Sequence, residues 1–139
     1  LMIKLFYEIS NFHIKNESLF IEEIGILLNN EGMLVGNINY IFCNDDVLLN
    51  MNIKYLKNNS YTDVLAFNYS INKWISGDIF ISINRVLYNS KRWNQFFMVE
   101  LKRVMIHAVL HFLGYNDKNK PDKKIMKKKE EFYLNLFQF

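Results

Sequence analysis

Apolar and polar positions alternate over Ile3–Ile9 and again over Gly36–Cys43, where Ile38, Tyr40 and Phe42 share one face. A period of two predicts strands. Val64–Tyr69 and Asp78–Ile83 carry the same pattern, and the loop between them, with Asn72, Ser76 and Gly77, permits a hairpin. Elsewhere the period lengthens. Asn16 is placed to cap a helix from about Glu17 to Asn29 whose apolar side is Leu19, Ile21, Ile24, Leu27 and Leu28. Asp45 or Asp46 is expected to cap a short helix through about Tyr55, and Asn84 to open a helical segment to about Trp93. Asn94 is expected to cap a long apolar helix ending at Leu113. Pro121 suits the first turn of a last helix, with Ile125, Phe132, Leu136, Met126, Tyr133 and Phe137 on one side and lysines on the other. Mixed elements without strict alternation imply one α+β domain over residues 1–139, with a small mixed sheet of about four strands and about five helices.

The long apolar helix carries the candidate chemistry. Met105, Ile106, Ala108, Val109, Leu110, Phe112 and Leu113 are apolar nearly all round it, as in a buried central helix, yet His107 and His111 interrupt them. Residues four apart share a helix face, so both imidazoles can point at one ion. A pair of core histidines is the plainer alternative. Buried without partners, though, each imidazole would cost about 1–3 kcal/mol, and a metal would satisfy both. Gly114 supplies a helix stop. On an unbroken helix Asp117 would lie roughly 9 Å beyond His111, at ~1.5 Å per residue. With the chain turning back at Gly114, His107, His111 and Asp117 can form a three-ligand site with one open position, the pattern of catalytic zinc, one ion per chain.

The spacing is similar to the H-E-x-x-H-x-x-G-x-x-H/D pattern of metzincin-type metalloproteases. Ala108 stands where such a protease keeps its general-base Glu, which argues against proteolysis. A second family keeps the spacing without that Glu. Leu110, His111, Leu113, Gly114 and Tyr115 fall in step with His107 along the signature H-G-x-L-H-L-x-G-Y-D-H of the YbeY family. Upstream, Leu49-Asn50, Tyr55 and Thr62–Phe67 resemble its L-N…Y-R…P-T-D-V-L-S-F block, Gly77-Asp78-Ile79 a G-D-I element, and Glu100 the acid before the signature. The chain therefore resembles that family of bacterial metal-dependent endoribonucleases linked to ribosomal RNA maturation. The resemblance implies an α+β fold and cleavage of single-stranded ribosomal RNA, with the ribosome as partner. It implies no catalytic residue beyond the metal ligands. Asp63 and Asp78 are read as structural, anchoring loops at the cleft edge.

The chain departs from the family pattern at several places. Asp117 replaces the third histidine and Asn116 the preceding aspartate; the family's arginine falls on Leu56 and its proline on Tyr61. An oxygen ligand still suits zinc at ~2.0–2.2 Å, although its charge makes the ion a weaker Lewis acid. Lys54 and Lys57 flank Leu56 and are the candidate RNA-binding cations, lacking the arginine fork. A ribosome-associated metal-binding protein with weakened or lost catalysis is the alternative these departures motivate.

Charge and composition add limits. Residues 1–63 carry a net charge of −4 and residues 64–139 one of +7, with seven lysines after Asp117. A basic half suits a phosphate-backbone ligand. However, fourteen Lys against three Arg, with nineteen Asn, is also what an AT-rich genome writes whatever the function. No apolar run reaches the ~18 residues of a membrane span, and Leu1-Met2-Ile3-Lys4 has no signal-peptide layout. The single Cys43, expected in the core, fits a reducing, cytoplasmic compartment. His13 is expected on a surface loop. Trp74 and Trp93 are expected in the core or a groove; an exposed indole would instead suggest a platform for stacking bases.

Overall fold

A computed structural model describes residues 1–137. The elements run β1 (Ile3–Tyr7), α1 (Glu17–Asn30), β2 (Leu34–Cys43), α2 (Asp45–Leu56), β3 (Val64–Asn68), β4 (Trp74–Ser82), α3 (Ile83–Arg92), α4 (Phe97–Phe112) and α5 (Lys120–Leu136). The sheet order is β1-β2-β4-β3, with β1, β2 and β4 parallel and β3 antiparallel along the outer side of β4. The expected α+β class holds, with four strands and five helices among the described residues. The hairpin forms as well, but β4 begins earlier than its alternation suggests, so Ser76 and Gly77 lie within the strand.

The two faces of the sheet are covered differently. Ile38, Tyr40 and Phe42 of β2 and Ile75, Ile79 and Ile81 of β4 join the main core with α1, α4 and α5. On the other face Cys43, Leu48 and Leu65 form a smaller cluster under α2. Helix α4 is the spine of the larger layer; Leu101, Met105, Ile106, Val109 and Leu110 are fully buried in it. Two contacts fix its seating. The Tyr40 hydroxyl donates to the Met105 carbonyl at 2.9 Å, so its proton is held by burial well above the ordinary range. At the other end Phe112 lies over Gly77, where an added Cβ would come within 2.6 Å of the ring.

Several caps differ from the sequence reading. Asn44, not Asp45 or Asp46, caps α2, accepting from the Val47 N–H at 3.1 Å. Ser82, not Asn84, caps α3, while Asn84 accepts from the Asp45 N–H. Asn94 does not cap α4. It ends α3 instead: at φ 52° it takes the left-handed conformation that asparagine tolerates, with its N–H on the Lys91 carbonyl and that of Gln95 on Ser90. Helix α4 then opens at Phe96 with no side-chain cap. Helix α5 buries only part of its expected apolar side: Met126 and Tyr133 point inward, joined by Glu130 and Leu134, whereas Ile125, Phe132 and Leu136 are exposed. A buried glutamate at position 130 lies on the inward side, and its partners Arg103 and His107 lie on α4.

Candidate metal centre

Local backbone geometry brings the three predicted ligands together. Helix α4 ends at Leu113 in a Schellman turn: the Gly114 N–H donates to the His111 carbonyl at 3.0 Å and the Tyr115 N–H to Leu110 at 3.2 Å. Gly114 sits at φ 104°, a conformation that strains any residue with a Cβ. The Tyr115 hydroxyl then pins the returning chain, donating to Glu31 at the end of α1 at 2.7 Å. Asp117 is thereby turned back over the helix face. Its Oδ2 lies 3.5 Å from His107 Nε2 and its Oδ1 3.4 Å from His111 Nε2. One ligand atom from each of the three lies within 4.8 Å of the others. The imidazoles are half-buried rather than sealed in the core, and they open onto a cleft.

Glu130 was invisible to sequence reasoning. Its Oε2 lies 2.5 Å from His107 Nδ1, so it accepts the Nδ1 hydrogen and leaves Nε2 facing Asp117. A carboxylate behind a histidine fixes its tautomer and raises its basicity, the arrangement common behind metal-bound histidines. Two imidazole nitrogens and a carboxylate, each able to offer a lone pair, converge there, an arrangement that favours a cation, whether a proton or a metal ion. The electrostatics agree. Burial pulls the His107 imidazole down, but Glu130, with Asp117 and Asp63 beyond it, outweighs burial and holds it above its ordinary value. His111 is lowered by burial and by its neighbour His107. The donor set of two imidazoles and a carboxylate fits zinc.

A cavity of about 480 Å³ borders His107, His111 and Asp117 on the β3 side, walled by Thr62, Asp63, Val64 and Ala66. Asp63 therefore does stand at the cleft, and burial raises its carboxyl above the usual range. Asp78 does not: it accepts from Asn39 and Tyr69 and ties β2 to β3 on the far face. A second cavity, of about 540 Å³, borders His107 and Asp117 on the α5 side, with Trp93, Arg103, Lys123 and Lys127 in its walls. Lys54 and Lys57 line neither cavity; both are exposed where α2 ends. Leu56, at the family's arginine position, is exposed beside them. The guanidinium nearest the cluster is Arg103, one turn before His107, paired with Glu100 at 3.3 Å and Glu130 at 3.5 Å. Ala108 is buried, and no carboxylate occupies the protease position.

The family model for the endoribonuclease YbeY matches residues 8–138. The chain belongs to the YbeY family. A relative from Karelsulcia muelleri named Endoribonuclease YbeY is 49% identical over 133 residues, covering 96% of this chain and 94% of its own length. One of the same name from Flavobacterium psychrophilum is 46% identical over 136 residues, covering 98% and 96%. The solution structure of TM1509 from Thermotoga maritima superposes with a TM-score of 0.70 at 25% identity, over 98% of this chain and 89% of that one. The YbeY fold therefore extends over nearly the whole chain, including α4 and the turn after it, which present the candidate ligands. No helix among the described residues is long and apolar enough to cross a membrane.

Proposed function

We propose that this chain is a metal-dependent endoribonuclease that cleaves single-stranded RNA during ribosomal RNA maturation in the cytoplasm, holding one zinc ion on His107, His111 and Asp117. The observation that carries the reading is the convergence of both Nε2 atoms on one carboxylate, with Glu130 locked behind His107. Relatives named as endoribonucleases along the full chain supply the substrate class. When bound, the ion supplies a Lewis acid for phosphodiester hydrolysis and lowers the pKa of water. The chain's own residues do the rest. Glu130 orients His107, and Asp63, whose burial lets it keep a proton to higher pH than an ordinary aspartate, lies on the cleft wall. Lys54 and Lys57 meet the strand's phosphates outside the cavities, where the loop after α2 leads to Thr62 and Asp63. The metalloprotease reading has no general base at Ala108 to support it. A ribosome-bound form without catalysis is separated by the experiment itself.

The test is single-turnover cleavage of ribosomal RNA fragments by the wild type and by His111→Ala, beside metal analysis of both proteins. The wild type is expected to carry close to one zinc per chain and to cut single-stranded segments; His111→Ala is expected to lose both properties. Zinc with no cleavage under any metal supplement would favour the binding-protein reading. Equal cleavage by both proteins would overturn the metal mechanism.

A further inference from the structure

From the α5-side cavity we infer that this chain has a nucleotide subsite beside the metal centre, in which Trp93 stacks on an RNA base and Lys123 and Lys127 hold the adjoining phosphates. The inference rests on the endoribonuclease reading and names how the strand is held. It begins with the turn between α3 and α4. The left-handed Asn94 ends α3 so that Trp93 becomes its last cap residue, anchored through its backbone N–H to the Asn89 carbonyl at 3.0 Å. The indole is 53% exposed, and among the described residues it joins no aromatic pair and no cation–π contact. A large apolar ring left open on a rigid turn has a free face to offer a base, and base–aromatic stacking tolerates any sequence.

The cavity below it shares His107 and Asp117 with the metal centre, so an occupant lies directly next to the reacting phosphodiester. Its volume, about 540 Å³, is within the range of small-ligand sites and admits a nucleotide. Charge sorts the two ends of that nucleotide. On the floor, Arg103 is ion-paired with Glu100 at 3.3 Å and Glu130 at 3.5 Å, so the guanidinium already faces two carboxylates. At the rim, Lys123 and Lys127 stand four apart on one face of α5, with Glu131 as the rim's acid, and neither lysine has an ion pair among the described residues. The base therefore goes towards Trp93 and the phosphates towards the lysines. Trp74 begins β4, does not border this cavity and serves as the internal control.

The experiment uses Trp74→Phe protein, so that emission reports Trp93, titrated with 2′-O-methyl oligoadenylate of about eight nucleotides, inside the site sizes of single-strand binders. A matched abasic strand is the comparison. Anisotropy of labelled strands measures affinity, and a gel confirms that each strand stays intact. The expected result is quenching at saturation by oligoadenylate and little by the abasic strand. Trp93→Ala is expected to weaken oligoadenylate about tenfold, with Trp93→Phe recovering most of the loss. Lys123→Ala with Lys127→Ala is expected to reduce the slope of log affinity against log salt by about 1.4, two phosphates' worth on a single strand. Binding by anisotropy with unchanged Trp93 emission and undiminished affinity in Trp93→Ala would overturn the subsite while leaving the endoribonuclease reading intact. No binding of either strand would overturn both.

Discussion

At the scale of single residues, the proposed centre depends on how each candidate ligand is aimed. His107 is held from behind by Glu130, while Asp117 is held only by the Schellman turn at Gly114 and the Tyr115 anchor. Removing the charge behind His107 should therefore weaken the metal without touching a ligand. Glu130→Gln is expected to lower zinc affinity by roughly 10–100-fold, the usual effect of losing such a partner. Asp117→Ala should cost at least as much if the proposed ligand set holds, whereas Asp117→His should keep the metal. The histidine variant also removes a negative charge from the site, so its water should be more acidic and its pH–rate profile for RNA cleavage should move to lower pH. Competition against a chelator of known affinity measures all three variants. Wild-type affinity in Asp117→Ala would show that Asp117 is not a ligand. The three candidate ligands were legible because they fall within eleven residues, where helix period and a glycine stop fix geometry locally. Glu130 was not: its contacts with His107 and Arg103 depend on how α5 docks on α4, which no local pattern encodes.

At the scale of elements, the placement of strands and helices was legible from periodicity, and most errors were at ends. Asn94 was misassigned because asparagine serves both as an N-cap and as a left-handed C-terminal residue, and only the pairing of Gln95 with Ser90 decides between them. The facing of α5 was legible at Met126 and Tyr133 but not at Ile125, Phe132 and Leu136, because Glu130 and Leu134 share the buried side with the first two. What holds α5 and the return loop to α1 is Glu31. It accepts from the hydroxyls of Tyr115 and Tyr133 and from Lys129 at 3.0 Å. Burial alone would raise this carboxyl, but those three partners outweigh it and hold it below its ordinary value of 4.5. Burial and Glu31 in turn push the Tyr133 hydroxyl up to about 12, so it remains a donor. A depressed carboxylate stabilises the fold above the unfolded-state value, and that stability is lost as pH falls through the folded-state value. Glu31→Gln is thus expected to cost about 2 kcal/mol at neutral pH, on the scale of hydrogen bonds to a charged group. The deficit should shrink as pH falls below the ordinary value of 4.5 and through the lower folded-state value, where the wild type loses the same charge. Urea unfolding of both proteins across pH checks this, and a deficit that stays constant with pH would show that the charge is not what Glu31 contributes.

For the whole molecule, the sheet's inner face, α1, α4 and α5 form one packed layer, and the cleft opens where α4 passes between the β3 edge and α5. Within that layer lies a charge pair that no metal chemistry explains. Lys102 and Glu23 join α4 to α1, with side-chain exposures of 0% and 6%, and the Lys102 ammonium stands 4.0 Å from the centre of the Phe20 ring. Burial lowers the Lys102 ammonium, while its bond and attraction to Glu23 oppose that shift. Desolvating two ions costs several kcal/mol each, and their attraction does little more than offset it. Breaking the pair is different, since it strands one ion in a medium that cannot solvate it. Lys102→Met is therefore expected to destabilise the protein by about 3–5 kcal/mol, whereas Lys102→Met with Glu23→Leu should return to within about 1 kcal/mol of wild type or exceed it. Denaturant midpoints at an unchanged slope measure both. If the double variant is as unstable as the single one, the pair stabilises the junction of α1 and α4 by more than its desolvation costs. If it recovers, the junction rests on packing. Because the pair lies apart from the cluster, zinc content should then match the wild type in the double variant, and a loss of metal there would tie the centre's geometry to the seating of α4 on α1.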